Sequence, residues 1–334
     1  MKLSSFLQYL DALGLLDLIV KLKLRNSILL VIMCHEIGKN VYYEEGIPTK
    51  LFEAELRYLL KLRFTFLPLC EALEIIEEEP ERPHRIAVLT FDDAYKGVYE
   101  NALPIMLKHG MRGTIYPVAG FVERSVAHWA VQIGFILRNM KTPVKIKLES
   151  LDTSLYINDE YDKRIALKTL LNMLPRMDVD EINSVIQCLT QFLDRELLHE
   201  IQELHERTMM NKEQLKEMAE LGFEIGGHGY WHVGLTNISR ERVRQEIESS
   251  LNFVNAFMSS SVCKLRTFAY PYGLYDDNVI GVLKELGFHA AVTMKPIVNK
   301  ANNLKLYEIG RLSPYRFGLM TLSSFKVQLM RVYT

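Results

Sequence analysis

The segment RIAVLTFDD, residues 85–93, decides how the rest of the chain reads. From Arg85 to Phe91 it is short, nearly all apolar and rich in branched side chains, without the polar alternation of a strand that faces water on one side. It reads as a strand buried on both faces. Two carboxylates, Asp92 and Asp93, follow at once, where such a strand leaves the sheet. The same layout recurs. SILLVIMC (27–34) runs into His35, FEIG (223–226) leads to HGYWH with His228 and His232, and LRTFAY (265–270) runs into Pro271-Tyr272-Gly273.

Helical patterns lie between these runs, at 51–62, 98–108, 212–221, 239–258 and 277–286, and further strands are expected at 111–118, 288–294 and 306–309. Asn211 is placed to cap the third helix and Gly222 to end it. Strands alternating with helices of this length argue for βαβ units around a parallel sheet. Seven or so units suit a barrel better than an open sheet. In a parallel barrel the C-terminal strand ends converge on one face, where active sites are assembled. All four polar clusters fall there. Between 121 and 208 the rhythm breaks: an alternating piece, 144–157, precedes amphipathic helical patterns, and the stretch reads as a mainly helical insertion. Residues 1–26 read as a helical extension, leaving 27–120 and 209–334 as the barrel.

Composition narrows the partners. The 334 residues carry 40 basic and 41 acidic side chains, a formal net charge of −1. No global field favours nucleic acid or an anionic surface. Cys34, Cys70, Cys188 and Cys263 are spaced like neither a zinc ribbon nor a redox pair, and they are expected to be free thiols. Asp11 and Asp17 interrupt the apolar N-terminal stretch and no small-residue cleavage site follows, so a cytoplasmic protein is expected. One segment stands apart: residues 13–25 are apolar with Lys21, Lys23 and Arg25, a pattern that also suits peripheral contact with a membrane.

Singly, these clusters say little. A His pair at i,i+4 is common, Asp-Asp is usually a turn, and Pro-Tyr-Gly is an ordinary turn. Together their chemistry closes. Two imidazoles and a carboxylate suit a divalent transition metal such as zinc, with a coordination position left for water. Of two adjacent aspartates, one can hold the metal while the other takes a proton from water. A histidine across the site can protonate a leaving amine, and backbone N–H groups in the turn after Pro271 can stabilise an oxyanion. That is equipment for metal-assisted amide or ester hydrolysis.

LTFDDAY, HGYWH and FAYPYG, in that order, resemble the first three motifs of the NodB-type polysaccharide deacetylases. VIMCHEI resembles the opening strand of the subgroup whose motifs are circularly permuted. The resemblance covers residues 27–120 and 209–315. It implies a distorted (β/α)7 barrel that hydrolyses an N-acetyl group from an amino sugar. It also implies Asp93, His228 and His232 as metal ligands, Asp92 as catalytic base, the backbone N–H of Tyr272 in the oxyanion hole, and His35 as a general acid.

Three departures from the family pattern stand out. Ala94 replaces a usual Gly, Gly229 replaces the Ser or Thr after the first metal histidine, and Ala269 occupies the region of an arginine that orients the base. Arg311, past the last expected strand, is a candidate to reach that carboxylate from another direction. The expected substrate is an N-acetylated carbohydrate, a cytoplasmic glycan or glycolipid precursor. The rivals are an amidohydrolase of a small non-sugar amide on the same fold and a catalytically inactive carbohydrate-binding barrel.

Overall fold

In the computed structural model, residues 3–24, 28–43, 45–80, 82–258, 264–297, 299–314 and 320–331 are described. Seven successive buried residues form β1 (Ile28–Cys34). It pairs in parallel with β2 (Arg85–Asp92) along its whole length, from Ile28 opposite Arg85 to Cys34 opposite Phe91. On its other side β2 pairs with β3 (Thr114–Tyr116), and β3 pairs with β4 (Glu224–Ile225), both in parallel.

A single bridge from Gly227 to Phe268 passes the ladder to β5 (Thr267–Ala269), which pairs with β6 (Ala290–Val292). Bridges from Val292 to Ile309 and from Leu312 to Ile32 close the ring through the segment 309–312. The result is the distorted seven-position barrel. Three of its seven joints are single bridges, and that is the distortion.

Closure through single bridges explains why several strands are shorter than their apolar runs. LRTFAY yields three ladder residues, because the chain on either side bends to follow the ring. The strand expected at 306–309 is not there. Leu306–Glu308 is a 3₁₀ turn, and the last barrel position falls to 309–312. That segment carries no apolar run, because it must place a buried Arg311 between Ile309 and Leu312. The helix expected from Val98 opens with a π-helical turn, Val98–Ala102; Pro104 has no N–H to give the carbonyl of Glu100, which loosens the ladder there.

Two helices precede the barrel, α1 (Leu3–Ala12) and α2 (Leu15–Lys23), and α3 (Thr49–Lys61) follows β1. The 121–208 stretch contains α4 (Trp129–Asn139), an antiparallel hairpin of Val144–Leu148 with Thr153–Ile157, and helices Glu160–Met173, Val179–Thr190, Arg195–Gln202 and Leu204–Thr208. The alternating piece is thus the hairpin; its inward residues Ile146, Leu148, Leu155 and Ile157 share one core with Leu170, Val185 and Leu189. That core continues into Phe268 and Tyr270 of the barrel. After the barrel helix α5 (Arg240–Asn255), the chain ends its described course in α6 (Leu322–Arg331).

Cys70 is disulfide-bonded, a correction to the expected free thiols, whereas Cys34 and Cys188 are in no disulfide. Cys263 lies outside the described residues. Sequence spacing carries no information on which distant cysteines a barrel brings together. Among the described residues no helix is long and apolar enough to cross a membrane.

Candidate metal and catalytic site

The strand ends deliver their polar groups to one cavity of about 230 Å³. His35 enters from β1, Asp92 and Asp93 from β2, His228 and His232 from the loop after β4, and Tyr272 from the turn after β5. Adjacent residues on a strand face opposite ways. Asp92 and Asp93 escape that rule because the chain turns left-handed between them, with φ 68° at Asp93 and 61° at Ala94. This is also why a glycine suits position 94.

His232 (φ 56°) and Tyr272 (φ 57°) are in the same region, so four of the seven non-glycine residues with positive φ among those described belong to this site. Such conformations cost about 1–3 kcal/mol each and persist where surrounding structure over-determines them.

The surrounding structure is visible. Glu246 of α5 is buried and accepts the backbone N–H groups of Tyr230 (2.8 Å) and Trp231 (2.9 Å) through one oxygen. It fixes the loop that carries both histidines. Burial raises its pKa despite those two bonds. At Gly229 (φ 75°) an added Cβ would come within 3.4 Å of the same Glu246 oxygen. Glu246 thus holds, from α5, the loop in which Gly229 stands where the family resemblance places a Ser or Thr.

Hydrogen bonds set the tautomers. A carbonyl can only accept, so His228 donates Nδ1–H to Ala269 O (2.7 Å) and turns a lone pair on Nε2 to the cavity. Tyr272 donates its hydroxyl to the His232 carbonyl (2.9 Å), and its oxygen, 2.9 Å from His232 Nδ1, accepts the proton there. His232 Nε2 then also offers a lone pair. Both Nε2 atoms stand 3.5 Å from Asp93 Oδ1.

Three electron-pair donors facing one another without a proton between them fit a cation. Ligands about 2.1 Å from one ion lie about 3.4 Å apart in tetrahedral geometry, which matches those separations. Burial pushes His228 down to about 4 and His232 well below its ordinary value, so both are neutral and able to ligate at pH 7.

Asp92 is buried beside this triad and does not join it. Both its oxygens are held by the Arg311 guanidinium at 2.7 Å, and Arg311 also donates to Thr90 Oγ1 (3.1 Å) and Thr293 O (3.0 Å). Burial alone would raise the Asp92 pKa; Arg311, with His228 and His35 behind it, outweighs burial and holds it below the usual carboxylate range. His35 is half-buried in the cavity wall, close enough for its charge to act on Asp92, His228 and His232.

One cavity residue has no warning in the sequence. His128, at the start of α4 in the 121–208 stretch, accepts the Ala130 N–H at Nδ1 (3.0 Å), and its Nε2 lies 3.2 Å from His232 Nδ1. Burial lowers its pKa to about 3 and keeps it neutral. A lone histidine between a loop and a helix gives no periodic signal. Its neighbour Trp129 lines the cavity, whereas Trp231 packs outside it against Phe121 and Tyr230.

Residues 79–163 and 169–291 match the sequence profile of the polysaccharide deacetylases, more than half of the chain. The chain belongs to the polysaccharide deacetylase family. The Bacillus subtilis (strain 168) protein YxkH is 20% identical to this family member over 267 residues, 80% of this chain and 64% of that protein, so the chain spans less than two thirds of its relative.

Solved structures show the same fold. IcaB from Ammonifex degensii superposes with a TM-score of 0.55 at 18% identity, covering 92% of this deacetylase-family chain and 97% of that one. The Streptococcus pyogenes deacetylase PplD, solved with acetate, gives 0.54 at 17% identity over 86% and 96%. A de-N-acetylase from Aggregatibacter actinomycetemcomitans gives 0.53 at 15% identity over 89% and 99%.

Proposed function

We propose that the chain is a metal-dependent hydrolase that removes the N-acetyl group from an amino-sugar unit of a glycan or glycolipid precursor. The observation that carries this reading is the pairing of a proton-free Asp93–His228–His232 triad with a second carboxylate, Asp92, held ionised beside it. Zinc suits the two imidazoles and one carboxylate. A divalent ion bound there supplies Lewis acidity and brings the pKa of water from 15.7 to about 7.

The chain's own residues do the rest. Asp92 takes the proton of the attacking water, Arg311 fixes the direction of its lone pairs, and His35 protonates the departing amine. The backbone N–H of Tyr272 receives the developing oxyanion, where one donor is typically worth about 10²–10³ in rate. Tyr43, Trp129 and Tyr270 give the cavity aromatic walls against which a pyranose ring can pack.

Acetate measured across a panel of free, nucleotide-linked and lipid-linked N-acetyl amino sugars tests this, with and without a chelator and with Asp92→Asn. Release that stops with chelator and with the variant is the expected result. Release that ignores chelator refutes the metal, and turnover of small non-sugar amides without acetate points to the amidohydrolase. Full metal occupancy with no turnover on any substrate leaves a binding protein.

A further inference from the structure

The first two helices turn Asp11, Asp17 and Lys23 inward and leave much of their apolar surface outward, unlike an ordinary surface helix. Asp11 and Asp17 turn to Lys326 of α6, each 2.6 Å from its Nζ, and Ser323 donates to Asp11 (2.8 Å). Lys23 donates to Met330 O (3.1 Å). Leu16 and Val20 complete this inner face. So fastened, α1 and α2 leave Tyr9, Leu13, Leu15, Leu18, Ile19 and Leu22 between 40% and 59% exposed, in one run of fourteen residues. Nothing among the described residues covers them.

On α2, at 100° per residue, Leu15, Leu18, Ile19 and Leu22 form one stripe, and Lys21 stands on its edge, 60° from Leu18. Lys21 opens a cavity of about 300 Å³ walled also by Arg57 and Lys61 of α3. None of these three cations makes an ion pair with a described residue, while Asp17 in the same wall is engaged by Lys326. An apolar stripe bordered by a cationic hollow is complementary to one kind of surface. Acyl chains lie beside phosphates in an anionic bilayer.

We infer that the outer face of α1–α2, with the Lys21–Arg57–Lys61 hollow, docks this protein on an anionic lipid bilayer: the stripe lies at the acyl boundary and the hollow takes lipid phosphate. In a two-fold contact a second copy brings the same three cations to this rim, and its one carboxylate there, Asp17, is already engaged by Lys326. The inference goes beyond the deacetylation reading and stands or falls without it.

Flotation of the full chain with phosphatidylcholine vesicles, with and without phosphatidylglycerol, tests it. The expected result is binding to the anionic vesicles, weakened by salt. Leu18→Ser with Leu22→Ser should cost at least an order of magnitude in partition, and Lys21→Glu or Lys61→Glu about fivefold each. These side chains are exposed, so unchanged melting curves confirm that the variants fold. No binding to either vesicle overturns the inference, as does binding indifferent to all four substitutions. A dimer in solution that the leucine substitutions dissolve assigns the stripe to a second copy and also overturns it. Asp92→Asn should leave flotation unchanged, which separates this result from the fate of the catalytic reading.

Discussion

Arg311 holds both carboxylate oxygens of Asp92 at 2.7 Å, although 219 residues separate them in the chain. The guanidinium arrives from the irregular segment that closes the barrel, and it arrives fully buried. Planar two-point pairing fixes where the remaining carboxylate lone pairs point, which an ammonium on a flexible stem cannot do. Arg311→Lys should therefore keep the fold and the metal content and lower kcat with little change in KM. Arg311→Ala leaves an uncompensated buried carboxylate and should destabilise the protein by about 3–5 kcal/mol. Wild-type kcat in the lysine variant would remove Arg311 from any role in positioning the proposed base.

Tyr272 touches His232 twice, at Nδ1 and at the carbonyl. Loss of such an outer partner typically costs about 10–100-fold in metal affinity. Competition between Tyr272→Phe and a chelator dye should show that loss, with the backbone N–H at 272 still in place. Unaltered affinity would mean that His232 is oriented by something else.

Glu246 accepts two backbone N–H groups of the loop that follows Gly229. Glu246→Ala strands two N–H groups, each worth about 1–3 kcal/mol when buried. Tyr230 and Trp231 are only half-buried, so the lower end applies. The melting temperature and metal affinity should fall together, and Glu246→Gln should recover most of both. A stability loss with unchanged affinity would confine Glu246 to the scaffold.

Glu36, beside His35 at the end of β1, is buried and accepts the Gly97 N–H (3.3 Å). Burial raises its pKa from 4.5 to about 8. A carboxyl raised on folding contributes stability that is complete below pH 4.5 and is lost as pH climbs through about 8. The melting temperature of wild type relative to Glu36→Gln should fall across that window. A difference independent of pH would show that Glu36 titrates normally.

Much of this was legible in the chain. Buried parallel strands are continuous apolar runs, and RIAVLTF or SILLVIMC needs no context to be read that way. Polar residues right after such runs must leave the sheet, which located His35, Asp92, Asp93, His228, His232 and Tyr272 in advance. The closing segment was misplaced because a barrel position made by single bridges needs no run at all. His128 and Glu246 were invisible for a related reason. Each acts from a different element from the one it supports, and no local pattern encodes that distance. The Cys70 disulfide belongs with them.

Because residues 309–312 supply both the last stave of the ring and the guanidinium against Asp92, a ribosome-borne chain has neither until 219 residues beyond Asp92 have emerged. Proteolysis or a premature stop just short of Arg311 would release a fragment that keeps every proposed metal ligand yet carries a gap in its wall and a stranded acid inside. Binding of the ion and competence to turn over substrate are thus separated along the direction of synthesis.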